Sequence, residues 1–382
     1  MKKECKLFFA GDVVLSESKS VDNVFSPEVI EIIKKHDIAC CNFEAPIEYE
    51  NMKTISKIGP TLRQNREAPL ILEDVGFNVI GTANNHIMDY GLDGVRETIN
   101  EFRKATTVGV SPIPNTVYKP YIKSINGIKI AFLMVAENGF GCAVDEKAIG
   151  YAWMMADCIE NIIKDTKKKV DIFIINCHAG AEYWEYPLPE LKKLYKKWIE
   201  WGANVVIAHH PHIVQGWERY NDGLIFYSLG NFIFEPDIGK KQNKTIGVSL
   251  KINNELNVEP KIYYFDTYAN RPIELSNDME FIEYYKKLTD TLNTDEYVKF
   301  IDHKSQILYE NMYKKYYNRI VGLYKGGIVG LIKSFIRRHI FFEKFSDLWL
   351  YHNIAIETHY WITRRALSLL LNKNKEEDED GK

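Results

Sequence analysis

Two kinds of hydrophobic pattern share the first two thirds of the chain. Short apolar runs of strand length occur at Lys6–Val14, Ile38–Asn42, Phe77–Thr82, Lys129–Ala136, Asp171–Cys177, Asn204–Ala208 and Leu224–Ser228. Between them lie segments whose apolar positions recur at helical spacing, such as Pro27–His36, Asp93–Ala105, Ala156–Lys169 and Pro189–Trp201. Strand and helix alternating at this spacing predict an α/β domain on a largely buried sheet. Toward residue 268 the pattern becomes strand after strand, Thr245–Ile252 and then Val258–Thr267, which predicts an antiparallel element closing the domain. Beyond Asn270 the chain reads as helical and rich in Tyr and Lys. The expected organisation is a domain over 1–268, a helical extension over 269–375 and a tail over 376–382. The acidic run Glu376–Asp380 reads as solvated and disordered.

Composition narrows the class. Of 382 residues, 46% are hydrophobic and 26% charged, ordinary values for a chain with a sizeable core. Forty-nine Lys and Arg against 52 Asp and Glu exclude a bulk polycation and argue against a nucleic-acid partner. No run of 18 apolar residues offers a membrane span. The N-terminal MKKECKLFFAGDVVLS is broken by Asp12 and reads as a first strand, not a signal peptide. Cysteines at 5, 40, 41, 142, 158 and 177 form no CxxC pair and lie mostly in apolar runs. They are expected to be reduced core residues of a cytoplasmic protein.

The chemistry-bearing residues gather where strands end. FFAGD ends the first strand at Asp12 and ACCNFE the second at Glu44. IGTANNH ends the third with Asn84, Asn85 and His86, FIINCH a later one at His178, and VVIAHHPH another with His209, His210 and His212. Open α/β sheets bind ligands beyond the carboxyl ends of their strands. Taken singly, each residue has a plain structural explanation: Asp12 as a cap, Asn84 and Asn85 as turn residues, His178 as a core histidine. Five coincident strand ends and three histidines in four positions favour a metal site. Carboxylate, imidazole and amide oxygen suit divalent Mn, Fe, Zn or Mg, and the absence of cysteine argues against a closed structural zinc site.

The wording of these segments carries a resemblance. GDVVLS at 11–16, NFEAPI at 42–47, KIGP at 57–60, NNHIMDYGLDGVRET at 84–98, HAGAEYWEYP at 178–187 and AHHPHIVQGWERYNDGLIFYSLGNFIF at 208–234 resemble the bacterial capsule-synthesis CapA family of the poly-γ-glutamate type. That family is a branch of the calcineurin-like metallophosphoesterases. The resemblance covers about residues 5–268 and implies a four-layer α/β/β/α sandwich with one or two divalent metal ions. It implies metal ligands at Asp12, Glu44, Asn85, His178, His210 and His212. His86 is implied as the group that protonates the leaving group, with Asp89 as its orienting partner. Val14 stands where the superfamily has a further His ligand. Glu44 replaces an Asp, and His209 occupies the place of a Gly.

Lower-ranked candidates for contact with substrate are Lys57 in KIGP, Glu182 and Tyr183 after His178, and Gln215 and Glu218 after the histidine cluster. The implied activity is hydrolysis or transfer at phosphoester-like bonds in capsule, poly-γ-glutamate or other envelope-polymer synthesis. The substrate would be a cell-envelope polymer or a phosphorylated small molecule. The rival expectation is a non-catalytic assembly component that keeps the fold, and Val14 is the residue supporting it. Residues 321–375 carry nine Lys or Arg against three Asp or Glu. Ile328, Leu331, Ile332, Phe335, Ile336 and Ile340 share one face there, with Lys333 and Arg337 opposite. Members of the family commonly carry an N-terminal membrane anchor, so this stretch is a candidate for peripheral contact with the inner face of the membrane. A helical subdomain packing its stripe inward is the alternative.

Overall fold

The computed structural model describes residues 4–144, 148–235, 243–268, 271–320, 329–330, 332 and 343–380. The first sheet comprises β1 (Cys5–Val14), β2 (Ile38–Phe43), β3 (Val79–Gly81), β4 (Thr106–Val108), β14 (Asn231–Phe234), β15 (Lys244–Ile252), β16 (Val258–Asp266) and β17 (Glu274–Leu275). Its order is β17-β16-β15-β1-β2-β3-β4, with β14 beside the end of β1. The second sheet comprises β6 (Tyr121–Ile125), β7 (Ile128–Ala136), β10 (Ile172–His178), β11 (Val205–His209), β12 (Val214–Tyr220) and β13 (Gly223–Leu229), in the order β12-β13-β11-β10-β7-β6. A small third sheet joins β5 (Val110–Ser111), β8 (Cys142–Ala143) and β9 (Gly150–Ala152).

The central strands are apolar on both faces because both are covered, as parallel sheets require. On β1, Phe8, Ala10 and Val13 join a core with Val29 and Ile33 of helix Pro27–Lys34 and Ile71, Leu72 and Val75 of helix Ala68–Val75. Phe9 points to the other side, where its ring lies 6.5 Å from Phe132 of β7. Each side chain so buried contributes about 1.5–3 kcal/mol. Two amphipathic helices, Ile159–Lys167 and Pro189–Trp201, pack on the second sheet and bury Ile163, Tyr195 and Trp198. The layering is helix, sheet, sheet, helix: the α/β/β/α sandwich expected from the sequence.

Strand register sets the level at which polar side chains emerge. In the first sheet Asp12 lies opposite Asn42 and Asn231, and Asn42 opposite Gly81. In the second, His178 lies opposite both Ala136 and His209. The polar residues therefore leave the two sheets at matched levels. At this level β1 and β2 slip out of simple register between Phe9 and Asp12. A Cβ placed on Gly11 would overlap the carbonyl oxygen of Gly230, which accepts the Asp12 amide at 3.1 Å.

The chain divides into two compact units, Met1–Ile55 with Thr61–Leu292, and Ser56–Pro60 with Asn293–Lys382. The first unit runs beyond the boundary expected at 268. Helix Met279–Thr291 packs on β12 and buries Phe281, Tyr285 and Leu288. Sequence periodicity shows that helix but not the body its apolar face covers. The second unit is helical, with Asp295–Leu308, Glu343–Ala355 and Glu357–Asp380 among its helices and an Arg365–Asp302 ion pair of 2.9 Å. The last helix runs through the acidic segment expected to be a disordered tail. Glu and Lys favour helix, and the segment continues a helix already anchored by buried Ile362 and Ala366. Of the basic apolar stripe, Ile332 is 53% exposed. Ile328, Leu331, Lys333, Phe335, Ile336, Arg337 and Ile340 lie outside the described residues. Among the described residues no helix is long and apolar enough to cross a membrane. Among the described residues no disulfide joins the cysteines.

Gly11→Ala should cost about 1–3 kcal/mol or more, the usual range for overpacking, because the obstacle is backbone and not a movable side chain. Urea unfolding would read this as a lower midpoint at unchanged slope. An unchanged midpoint would show that β1 and β14 separate freely.

Candidate metal centre

Asp12, at the level of the β1 slip, is fully buried. Its Oδ1 accepts from Asn42 Nδ2 at 2.8 Å and its Oδ2 from the backbone amide of His210 at 3.2 Å. Glu44 follows the last residue of β2 and is equally buried, with Oε1 3.4 Å from His178 Nε2. His178 closes β10. Its Nε2 also lies 2.9 Å from Asn85 Oδ1 and 2.9 Å from His210 Nδ1. Three groups, drawn from the ends of both sheets, thus converge on one imidazole nitrogen.

His210 and His212 reach the cluster through a loop with left-handed backbone, φ +96° and +62°. Such conformations cost a non-glycine residue roughly 1–3 kcal/mol and persist only where the surroundings impose them. His212 Nδ1 lies 3.8 Å from Asp12 Oδ2 and 2.9 Å from Asn231 Oδ1. His209, the last residue of β11, places Nδ1 3.5 Å from Asp12 Oδ1. Burial and the neighbouring imidazoles hold His178 well below the ordinary histidine range, and burial lowers His209 as well. His178 is therefore neutral near neutral pH, the form that can ligate a cation.

Two sets of three side chains bring one ligand atom each within 4.8 Å of one another: Glu44 with His178 and His210, and Asp12 with Glu44 and His212. Glu44 belongs to both. Oxygen and nitrogen donors without sulfur fit a divalent ion of the Mn, Fe or Zn kind, and the amide oxygen of Asn85 adds to the first set. The donor chemistry is compatible with divalent metal binding.

Beside the cluster, His86 Nδ1 meets Asp89 Oδ2 at 2.7 Å, and the same carboxylate oxygen accepts from Leu62 N at 2.7 Å. Asn84 is a turn residue: its Oδ1 accepts from the amides of His86 and Ile87 and its Nδ2 donates to Phe43 O. The lower-ranked candidates separate. The ring of Tyr183 lies 5.8 Å from that of His212, whereas Glu182 is exposed. Gln215 is buried and donates to Trp184 O at 2.7 Å, so it braces the loop carrying Tyr183. Glu218 is not part of the site. It pairs at 3.1 Å with Lys196 of the helix covering the second sheet, because its position on β12 turns it to that face. Lys57 belongs to the second unit, where it lies near His352.

Three residues that strand-end reasoning passes over belong to the cluster: Asn42, Asn231 and Glu137. Asn42 lies 3.0 Å from His178 Nδ1 besides binding Asp12. Glu137 immediately follows β7, is 3% exposed, and places Oε1 3.3 Å from His210 Nε2. Its signal is in the sequence, since IAFLMVAE ends an apolar run on a carboxylate just as ACCNFE does.

Two stacked sheets with this cluster at their strand ends define a four-layer α/β/β/α protein with a candidate metal centre. Within that class, the chain belongs to the bacterial capsule synthesis protein PGA_cap family, whose model matches residues 6–236. It is 33% identical over 239 residues to the PGA biosynthesis protein CapA of Bacillus subtilis (strain 168), covering 59% of this chain and 62% of the relative. To the capsule biosynthesis protein CapA of Bacillus anthracis it is 31% identical over 240 residues, covering 59% and 58%. The chain thus spans about three fifths of the length of these relatives. Among solved structures, a putative 5'-nucleotidase from Staphylococcus aureus aligns over 76% of this chain and 59% of its own, with 12% identity and a TM-score of 0.45.

Because Glu44 serves both sets, Glu44→Ala should lose more bound Mn or Zn than His178→Ala or His212→Ala, each of which disturbs one set. Elemental analysis of metal-replete preparations measures this. Equal metal in all three variants and the parent would remove Glu44 from the centre.

Proposed function

We propose that this protein is a metal-dependent hydrolase or transferase acting on phosphoester-like bonds in the synthesis of capsule, poly-γ-glutamate or another envelope polymer. The observation that carries the reading is the pair of ligand sets sharing Glu44, with the His86–Asp89 pair alongside. Asp12, Glu44, Asn85, His178, His210 and His212 would hold one or two divalent ions. Such ions supply positive charge that polarises a phosphoryl oxygen and acidifies water. Asp89 fixes the His86 ring through Nδ1, so Nε2 is the nitrogen that passes a proton to the departing oxygen. Tyr183, over His212, supplies an aromatic wall for the substrate. Family membership supports the biological setting, and the cluster supports the chemistry.

A specific residue favours a second reading, a non-catalytic assembly component. Val14 is fully buried and offers no ligand where the superfamily has a histidine. The two readings part on turnover. A metal-replete protein tested with aryl phosphomonoesters and diesters in Mn, Fe, Zn and Mg should hydrolyse at least one under the first and none under the second.

In the first case His86→Asn should lower turnover roughly 10²–10⁴-fold with bound metal unchanged, as expected for loss of a general acid. Parallel loss of metal would make His86 a ligand, and full activity would make it a turn residue.

The setting we propose is cytoplasmic, with peripheral contact at the inner membrane face through the basic stretch 321–375. That contact predicts salt-sensitive cosedimentation with anionic vesicles, lost on truncation after Leu292. No binding at low salt would end the idea.

A further inference from the structure

Glu137 is a buried carboxyl group that the proposed reaction does not use. It sits one residue beyond β7, whose last residue, Ala136, lies opposite His178 in the sheet, and its amide donates to His178 O at 3.1 Å. The backbone at this point is therefore tied to a member of the cluster. Burying a carboxyl group is unfavourable unless it is given partners, so its presence at this depth calls for a physical reason.

The reason lies in the geometry of one ring. His210 Nδ1 faces the cluster, 2.9 Å from His178 Nε2. His210 Nε2 faces Glu137 Oε1 at 3.3 Å. The two nitrogens of one imidazole thus look at two different environments. A neutral imidazole carries its proton on one nitrogen and a lone pair on the other, and the acceptor it meets decides which. An acceptor beside Nε2 leaves the Nδ1 lone pair facing Glu44 and His178.

We propose that Glu137 is a positioning residue of the centre: its carboxylate takes the Nε2–H of His210 and so presents Nδ1 of that ring to a divalent ion held with Glu44 and His178. The inference rests on the metal-centre reading above. Glu137 holds the tautomer and the angle of the ring without touching the ion. Outer partners of this type are commonly worth about 10–100-fold in metal affinity.

The test uses the full chain and three proteins: parent, Glu137→Gln and Glu137→Leu. Each is stripped with a chelator and titrated with Co²⁺, followed by its visible absorption, and with Mn²⁺ in competition. Glu137→Leu should weaken one ion by about 10–100-fold and shift the cobalt band of that ion, leaving any second ion unaffected. Glu137→Gln, which keeps an acceptor oxygen, should lose less affinity and shift the band less. Parent-like affinities and spectra in Glu137→Leu would overturn the proposal and reduce Glu137 to packing. If the leucine variant does not fold, Glu137→Ala, which also removes the acceptor, takes its place, and parent-like binding and spectrum in it would overturn the proposal equally. If the parent itself binds neither Co²⁺ nor Mn²⁺, the metal-centre reading fails and this inference falls with it.

Discussion

The structure depends on bringing carboxylates and imidazoles together out of water at the ends of two facing sheets. Asp12, Glu44 and His178 are all essentially inaccessible. Groups of this kind are tolerated in a protein interior only when something offsets the desolvation they suffer. Much of the architecture supplies that. Asn42 spans Asp12 and His178, the His210 amide binds Asp12, and Asn231 holds His212. The apolar layers on either side, with Phe9 against Phe132 between the sheets, keep the strands in the register that aligns these groups.

That dependence explains where the backbone is forced. Gly11 has no room for a side chain because β14 must pass close enough for Gly230 to accept the Asp12 amide. His210 and His212 adopt conformations that glycine would take with less strain. Replacing them by glycine would relieve the backbone and remove the imidazoles. The loop keeps the strain because the side chains are needed where it puts them, which is the usual reason for strained backbone beside a functional site.

The strands are legible in the sequence because burial on both faces makes each a continuous apolar run with a sharp polar end. The β1, β10 and β11 segments match their apolar runs within a residue for that reason. The edge strand β12 is not legible, since Val214–Tyr220 mixes polar and apolar positions. Within the site, a residue stands out when its type is rare for a strand end, as with the histidines. Asn42 is hidden beside Glu44 in the same motif. Glu137 ends an apolar run as Glu44 does, but the Asn-Gly after it reads as the start of a turn, and the pairing of β7 with β10 is what places it against His178 and His210. Glu218 misleads in the opposite direction. Its sequence distance to the histidines is short, but one position along a strand reverses the face.

The charge balance of the cluster argues for a cation independently of any family likeness. Asp12, Glu44, Asp89 and Glu137 are four buried carboxyl groups near one another's partners. The rings of His178, His209 and His212 lie within 4 Å of Asp12, and Glu44 and Glu137 meet those of His178 and His210. The imidazoles of His178 and His209 are poor counter-charges. Burial keeps His178 and His209 in the neutral form, and crowding by the neighbouring histidines pushes His178 the same way. Neutral imidazoles beside carboxylates make an arrangement that is costly as a bare core and favourable around a divalent ion, whose charge answers the acids while the ring nitrogens donate to it. The same low-dielectric surroundings that make these groups unfavourable on their own strengthen their attraction for such an ion.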